Sequence, residues 1–394
     1  MKKFLALILA LVFLFSGCEN SSNENIEIVN PKNENIIGVW INYNEIYSII
    51  EACETQPQLN EKINSMLNEF QKYNINTIFL HTRAFDDCFY NSELYQPSAY
   101  CVNDEGKLKF DVLHSFIDCS KDFNIEIHAW VNPYRIRKDN KTELINKNTL
   151  AGELYAQNPE DQRLIITDNS IFYNPAYIEV QKYVLSGIKE ILDNYNVAGI
   201  HIDDYFYPTT SETIDTEIYN EYIKKGGSLS LADFRRQNVN SLVTSIYSLV
   251  KSYSNDLVFS ISPSADIKAD YNSHYVDVKL WASQKGYADF IIPQIYFGFE
   301  HETMPFEKVL NDWINLKTDN CKMAIGLSVY KSGEIDSFAK SGSNEWLDNS
   351  DILKRQLQII NNNEHLNGYS YYSSSYLIND YNENLIQEKQ NLLS

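Results

Sequence analysis

The stretch Val197–Pro208, VAGIHIDDYFYP, decides the fold. It opens as a short apolar run and ends abruptly in two carboxylates and three aromatics. Such a run is how a strand covered on both faces reads. With a period of two, Ile200 and Ile202 share one face and Gly199, His201 and Asp203 the other. If that strand is one stave of a barrel, Ile200 and Ile202 pack on surrounding helices. Asp203 is then the last residue pointing inward, where its strand gives way to a loop.

Seven further runs share this character: Ile37–Asn42, Ile75–Thr82, Ile125–Val131, Leu257–Pro263, Asp289–Tyr296, Lys322–Val329 and Gly368–Ser373. Helical patterns fall between them at Leu59–Tyr73, Asp111–Phe123, Ile178–Tyr195, Leu231–Tyr253, Val276–Tyr287, Phe306–Leu316 and Leu353–Asn362. Eight strand–helix alternations without a break in composition predict one TIM-like (β/α)8 barrel, a single α/β domain over 37–380, followed by a tail over 381–394. The rival, an open doubly wound sheet, wants a glycine-rich phosphate turn after its first strand, and Trp40-Ile41-Asn42-Tyr43 has none.

Barrel active sites lie at the C-terminal ends of the strands. Those ends supply His81 and Arg83, with Asp87 shortly after; His128, Trp130, Asn132, Tyr134 and Arg135; and His201, Asp203, Asp204, Tyr205 and Tyr207. Later ends add Ser262; Gln294, Tyr296 and Glu300; and Tyr330 and Lys331. Adjacent carboxylates cannot both ionise cheaply, so one pKa in the Asp203–Asp204 pair should rise unless a cation intervenes, and Arg83 and Arg135 are the expected cations. His81, His128 and His201 admit a metal-dependent hydrolase as an alternative. No strand carries an H-x-H pair, however, so neither metal nor cofactor is expected.

The 394 residues carry 33 Lys and Arg against 53 Asp and Glu, a net charge of −20, which argues against nucleic acid as a partner. The chain holds 28 Tyr, 19 Phe and 5 Trp, flat faces that suit sugar rings. Met1–Gly17 reads as a signal peptide, with Lys2 and Lys3 before a short apolar run and Ser16-Gly17 before Cys18. Cys18 is the expected lipid-bearing residue, and residues 18–36 an Asn/Glu/Ser tether. The mature chain would then be exported and anchored to a membrane of the bacterial cell envelope. Cleavage removes two lysines and no acid. Cys53, Cys88, Cys101, Cys119 and Cys321 show no metal spacing and read mainly as core thiols.

The segments HAWVNPYR (128–135), GIHIDDYFYP (199–208) and PQIYFGFE (293–300), together with Gly38-Val39-Trp40-Ile41 and Phe234–Asn240, resemble the family 10 glycosyl-hydrolase-like proteins. The resemblance implies a TIM-like barrel, export and glycosidase chemistry on a polysaccharide or oligosaccharide, with peptidoglycan glycan strands as one candidate. It makes Asp203 the ionised carboxylate and leaves the proton donor among Asp87, Asp204 and Glu300, with Asp87 retained from the family's motif. Two departures stand out. Asp86 replaces a family glycine, and Ser264-Ala265 follows Ser262-Pro263 where the family tends to a glycine. A surface carbohydrate-binding lipoprotein without catalysis is the second alternative.

Overall fold

A computed structural model describes residues 35–316 and 319–394. Its central sheet is parallel throughout. The barrel strands are β1 (Ile36–Ile41), β2 (Thr77–Arg83), β3 (Glu126–Val131), β4 (Gly199–Ile202), β5 (Val258–Ile261), β6 (Phe290–Ile291), β7 (Ile325–Ser328) and β8 (Gly368–Tyr372). They pair in sequence order, and β8 returns to pair with β1 from Ile36↔Gly368 to Val39↔Tyr371. Strand seven makes the closure in two pieces. Lys322–Met323 pairs with β6 and β7 proper with β8, while Gln294 bridges to Gly326 between them. This is the expected barrel.

The continuous apolar runs are explained by burial on both faces. Outward residues such as Val39, Ile41, Ile78, Leu80, Ile200 and Ile202 join the large core beneath the helices. Inward residues Ile36, Trp40, Phe79, Trp130, Phe290, Ile292 and Ala324 form a second cluster that fills the barrel. Gly199 is required where it stands. A Cβ there would lie 2.4 Å from the Val258 carbonyl and 2.8 Å from His128 Nδ1, so the His128 ring lies across a position without a side chain.

Several boundaries differ from the sequence reading. β6 spans two residues rather than eight, since Pro293 lacks the N–H that a ladder needs. The helix expected over 276–287 narrows to Val278–Ser283, whereas Leu231–Tyr253 forms over the expected span. A three-stranded antiparallel sheet (Arg135–Arg137, Ile171–Tyr173, Leu164–Ile166) straps the mouth after β3. Its strands of three residues are too short to leave a periodic signal. Residues 381–394, expected as a tail, hold the helix Glu383–Leu392 with Leu385 fully buried. The signal peptide, Cys18 and the tether up to residue 34 lie outside the described residues. The five described cysteines are buried thiols.

Candidate active site

Asp203 follows directly on β4 and is 2% exposed. Its Oδ2 accepts the indole N–H of Trp130 at 3.0 Å and the amide N–H of Asn132 at 3.4 Å, both from the end of β3. Its Oδ1 is buried and has no partner. Two donors on one oxygen orient the carboxylate and leave Oδ1 as an unsolvated acceptor, with the Tyr205 backbone also acting on the group. Burial, then the neighbouring Asp204 carboxylate, push the Asp203 pKa up, while Arg135 and Trp130 pull it back. Asp204, half-buried at the start of the loop, is raised by its own burial against the pull of His274, Gln294 and Arg135. The two carboxyls titrate as one coupled unit.

The floor beneath them is rigid. Trp40 donates its indole N–H to His201 Nε2 at 3.1 Å, so His201 carries its proton on Nδ1 and gives it to Ser260 Oγ at 2.8 Å. With both nitrogens used and no exposed surface, His201 supports the site rather than touching a substrate. His128 lies deeper, and burial alone lowers its pKa to about 3. His81 stacks on Trp130 at 3.7 Å between centroids and 9° between planes, and like those of His128 its two nitrogens have no partner. Burial and Arg135 keep it neutral. The three imidazoles therefore serve three separate environments. Among the described residues no group of three or more His, Cys, Asp or Glu is arranged to hold a metal ion.

Aromatic walls rise around this floor. The Arg135 guanidinium is held between the rings of Phe85, 4.6 Å from its centroid, and Tyr205, 4.1 Å, and it acts on both Asp203 and Asp204. Opposite, Tyr296 stacks on Tyr372 at 5.7 Å and Tyr330 meets both edge-on. Gln294 donates to the Ser262 carbonyl at 3.0 Å, tying the end of β6 to that of β5.

Other expected residues go elsewhere. Arg83 was expected to face Asp203, but a register shift in the β2–β3 pairing between His81 and Arg83 turns it aside. It is 1% exposed, donates to the Asn132 and Pro133 carbonyls and pairs with Asp86 at 3.4 Å. Asp86 also accepts from Tyr173 at 2.7 Å and Tyr183 at 3.3 Å. Its φ is not positive, so the glycine of the resembling family is not needed for backbone shape here. Asp87, raised to about 6 by burial, has Ser98, Asp86 and Arg83 as its neighbours. Tyr134 and Tyr207 are fully buried, the latter against Tyr275. Glu300 is exposed on its loop, where the backbone N–H groups of Phe299 and Glu300 donate to buried Glu345. Lys331 is paired with Asp336 at 2.5 Å.

Sequence reasoning missed Asp270 and His274. The turn after β5 brings them together at 3.0 Å, and Ser264 donates to the same Asp270 oxygen at 2.9 Å. The other oxygen, Oδ2, is buried without a partner, and burial raises the Asp270 pKa to about 6. Asp270 and His274 both act on Asp204. Their turn is braced by Tyr275, whose hydroxyl accepts from buried Arg235 at 2.8 Å, and Arg235 is itself clamped by Asp215 at 2.7 and 2.8 Å. The sequence signals were the spacing of four between Asp270 and His274, which one helical turn brings together, and the Phe234–Asn240 motif that contains Arg235.

Comparison with known proteins places this geometry in context. The family described as glycosyl hydrolase-like 10 matches residues 35–345. The chain is 30% identical over 320 residues to the glycosyl hydrolase YngK of Bacillus subtilis (strain 168), covering 76% of this chain and 61% of that protein. It thus spans less than two thirds of that relative's length. It is 27% identical over 334 residues to the glycosyl hydrolase DigH of Escherichia coli (strain K12), covering 79% of this chain and 74% of that one. Among solved structures, the glycoside hydrolase domain of PgaB (BpsB) from Bordetella bronchiseptica superposes with a TM-score of 0.55 at 10% identity, covering 91% and 97% of the two chains. That likeness concerns the barrel alone.

Proposed function

The chain belongs to the glycosyl hydrolase-like 10 family, and on that premise we propose that it hydrolyses O-glycosidic bonds of a polysaccharide at the Asp203 centre. One observation carries the reading: Asp203 is fixed through Oδ2 by Trp130 and Asn132 while Oδ1 is buried and unpartnered at an aromatic-walled mouth. Glycoside cleavage needs one carboxyl ionised and one protonated across the scissile bond. Asp203, buried, and Asp204, half-buried beside it, offer the two carboxyl groups whose pKa values such a site must push apart. The pair of N–H donors favours the ionised form of Asp203, which makes it the nucleophile of a retaining reaction or the base of an inverting one.

Burial raises Asp203 to about 7 in the free site. A sugar hydroxyl donating to its Oδ1 would return it to the ionised form and leave the donor's role to Asp204, which faces Gln294 and the Asp270–His274 pair. Asp204 is preferred over Asp87 as donor because the groups that act on Asp203 are Asp204 and Arg135, whereas Asp87 answers to Asp86, Arg83 and Ser98. His81 and Arg135 would meet sugar hydroxyls, and Tyr205, Tyr296 and Tyr372 would stack on sugar rings. The substrate class includes peptidoglycan glycan strands and other cell-surface glycans. Cys18 would carry the lipid that holds the exported barrel at a membrane, and the Cys18→Ala chain would then be released into the soluble fraction.

The test is a polysaccharide panel with Asp203→Asn and Asp204→Asn. Each should lose on the order of 10³-fold in kcat on natural linkages. Asp204→Asn alone should recover on an aryl glycoside, whose leaving group needs no proton. Near-wild-type cleavage by Asp203→Asn would overturn the assignment. Binding without cleavage by the wild-type chain would favour a carbohydrate-binding lipoprotein instead.

A further inference from the structure

A line of tyrosines leaves the Asp203 centre and reaches open solvent. Tyr372 meets Trp40 of the floor at 6.2 Å and stacks on Tyr296 at 5.7 Å, which sets both beside the centre. From Tyr372 the line passes to Tyr330 at 6.1 Å, to Tyr376 at 6.2 Å and to Tyr381 at 4.9 Å. Exposure rises outward: the first four rings are part-buried, and Tyr381 is 56% exposed. A cleft of about 380 Å³ runs along this line, with Asn42, Asn44, Ser48 and Ser375 among its polar walls. Its base is fixed. Glu45 accepts from Ser373 Oγ at 2.6 Å and Ser375 N at 2.7 Å on one oxygen and from Asn42 N at 2.8 Å on the other, locking the ends of β1 and β8 together.

A ring that is half exposed beside a polar cleft is a poor core residue and a good platform. It offers an apolar face at small conformational cost, while amides and hydroxyls beside it can meet equatorial hydroxyls. Packing alone would bury such a ring or leave it single. Here five rings continue one another from the reacting carboxylate outward.

We propose that Tyr330, Tyr376 and Tyr381 form outer sugar-binding subsites, so that the barrel takes a glycan chain of several units and reads it well beyond the bond it cuts. The occupant is the continuation of the same polysaccharide, because Tyr330 and Tyr372 line the cleft and also pack on Tyr296 at the Asp203 mouth. This rests on the function proposed above and extends it. Tyr372, Tyr376 and Tyr381 all lie beyond residue 345, where the family match ends, so nothing in the family assignment supplies these subsites.

The experiment measures kcat/KM of the full chain on oligosaccharide ladders of two to six units from chitin, cellulose, starch and isolated peptidoglycan glycan strands. The variants are Tyr381→Ala, which removes the platform, and Tyr381→Phe, which keeps it. On whichever ladder the wild type cleaves, Tyr381→Ala should lower the preference for six units over two by about three- to tenfold, the size of one lost stacking contact. Tyr381→Phe should stay within about twofold. An unchanged preference in Tyr381→Ala, with cleavage retained, overturns the outer subsites and leaves the Asp203 assignment standing. Failure of the wild type to cleave any ladder overturns the function itself and this inference with it.

Discussion

Two adjacent-acid pairs follow two strands of this barrel, and they have opposite fates. Asp86-Asp87 follows β2, and Asp203-Asp204 follows β4. In the first pair Asp86 is matched by a buried cation and two phenols: Arg83 at 3.4 Å, Tyr173 and Tyr183. In the second, Asp203 receives two neutral N–H donors on one oxygen and nothing on the other. The same dipeptide becomes a structural knot where the register shift in β2 brings Arg83 to it, and an open acceptor where β4 keeps a plain period of two. Asp87 also keeps a buried Oδ1 without a partner. What separates the two pairs is therefore their surroundings: Arg83, Tyr173 and Tyr183 close on the first, whereas the Arg135 guanidinium and the exposed Tyr205 ring stand beside the second.

The largest expected effects would break that contrast if they failed. Asp203→Asn should lower cleavage by the order of 10³-fold while leaving the urea midpoint unchanged or higher, because a carboxyl whose ionised form is costly to bury is gone. Arg83→Ala should do the reverse in kind. It strips the buried partner from Asp86 and should cost about 3–5 kcal/mol of stability in equilibrium denaturation. If Arg83→Ala folded with wild-type stability and lost only activity, the β2 end would belong to the active site and the contrast would be void. Trp130→Phe is the intermediate case. It keeps the ring under His81 but removes the donor to Asp203 Oδ2, and should lower kcat by about ten- to a hundredfold with little change in stability.

Much of this was readable beforehand, and the reasons are physical. Doubly covered strands announce themselves as unbroken apolar runs, and a period of two placed Gly199, His201 and Asp203 inward. The same rule failed at Arg83, since a register shift has no compositional mark. It also could not tell wall from floor: His128 and His201 are inward as expected, but His128 lies across Gly199 and His201 spends both nitrogens on Trp40 and Ser260. Tyr134 and Tyr207 follow strand ends, yet the short strap strands and the Arg235 brace bury them. Asp270 and His274 escaped although they stand four residues apart on one helical turn, Asp270–His274, because the polar stretch after β5 carries no apolar pattern to mark it as helical. Tyr372 ends the eighth run and Tyr376 follows it inside the expected barrel without a mark of function, and Tyr381 opens the stretch expected as a tail.

The smallest predicted effect sharpens the contrast most, because it asks whether the open acceptors around the β4 end carry a stability cost of their own. Asp270 is buried, has one unpartnered oxygen and has its pKa raised to about 6, against an ordinary value near 3.9. Between about pH 4 and 6 the folded chain therefore holds a proton that the unfolded chain releases, and stability falls as pH rises through that window. Its slope is at most about 1.4 kcal/mol per pH unit. His274, raised chiefly by its hydrogen bond to Asp270, adds stability that is present at low pH and lost as pH rises through its elevated pKa, above the ordinary value near 6.5. Both terms slope the same way. Subtracting urea-unfolding curves of Asp270→Asn from wild type should isolate them from the other raised carboxyls. The difference should favour wild type most at pH 4, shrink to pH 6 and keep shrinking past neutrality as His274 loses its charge. Parallel curves at every pH would mean that Asp270 is as well satisfied as Asp86, and that the open acceptors around the β4 end carry no stability cost.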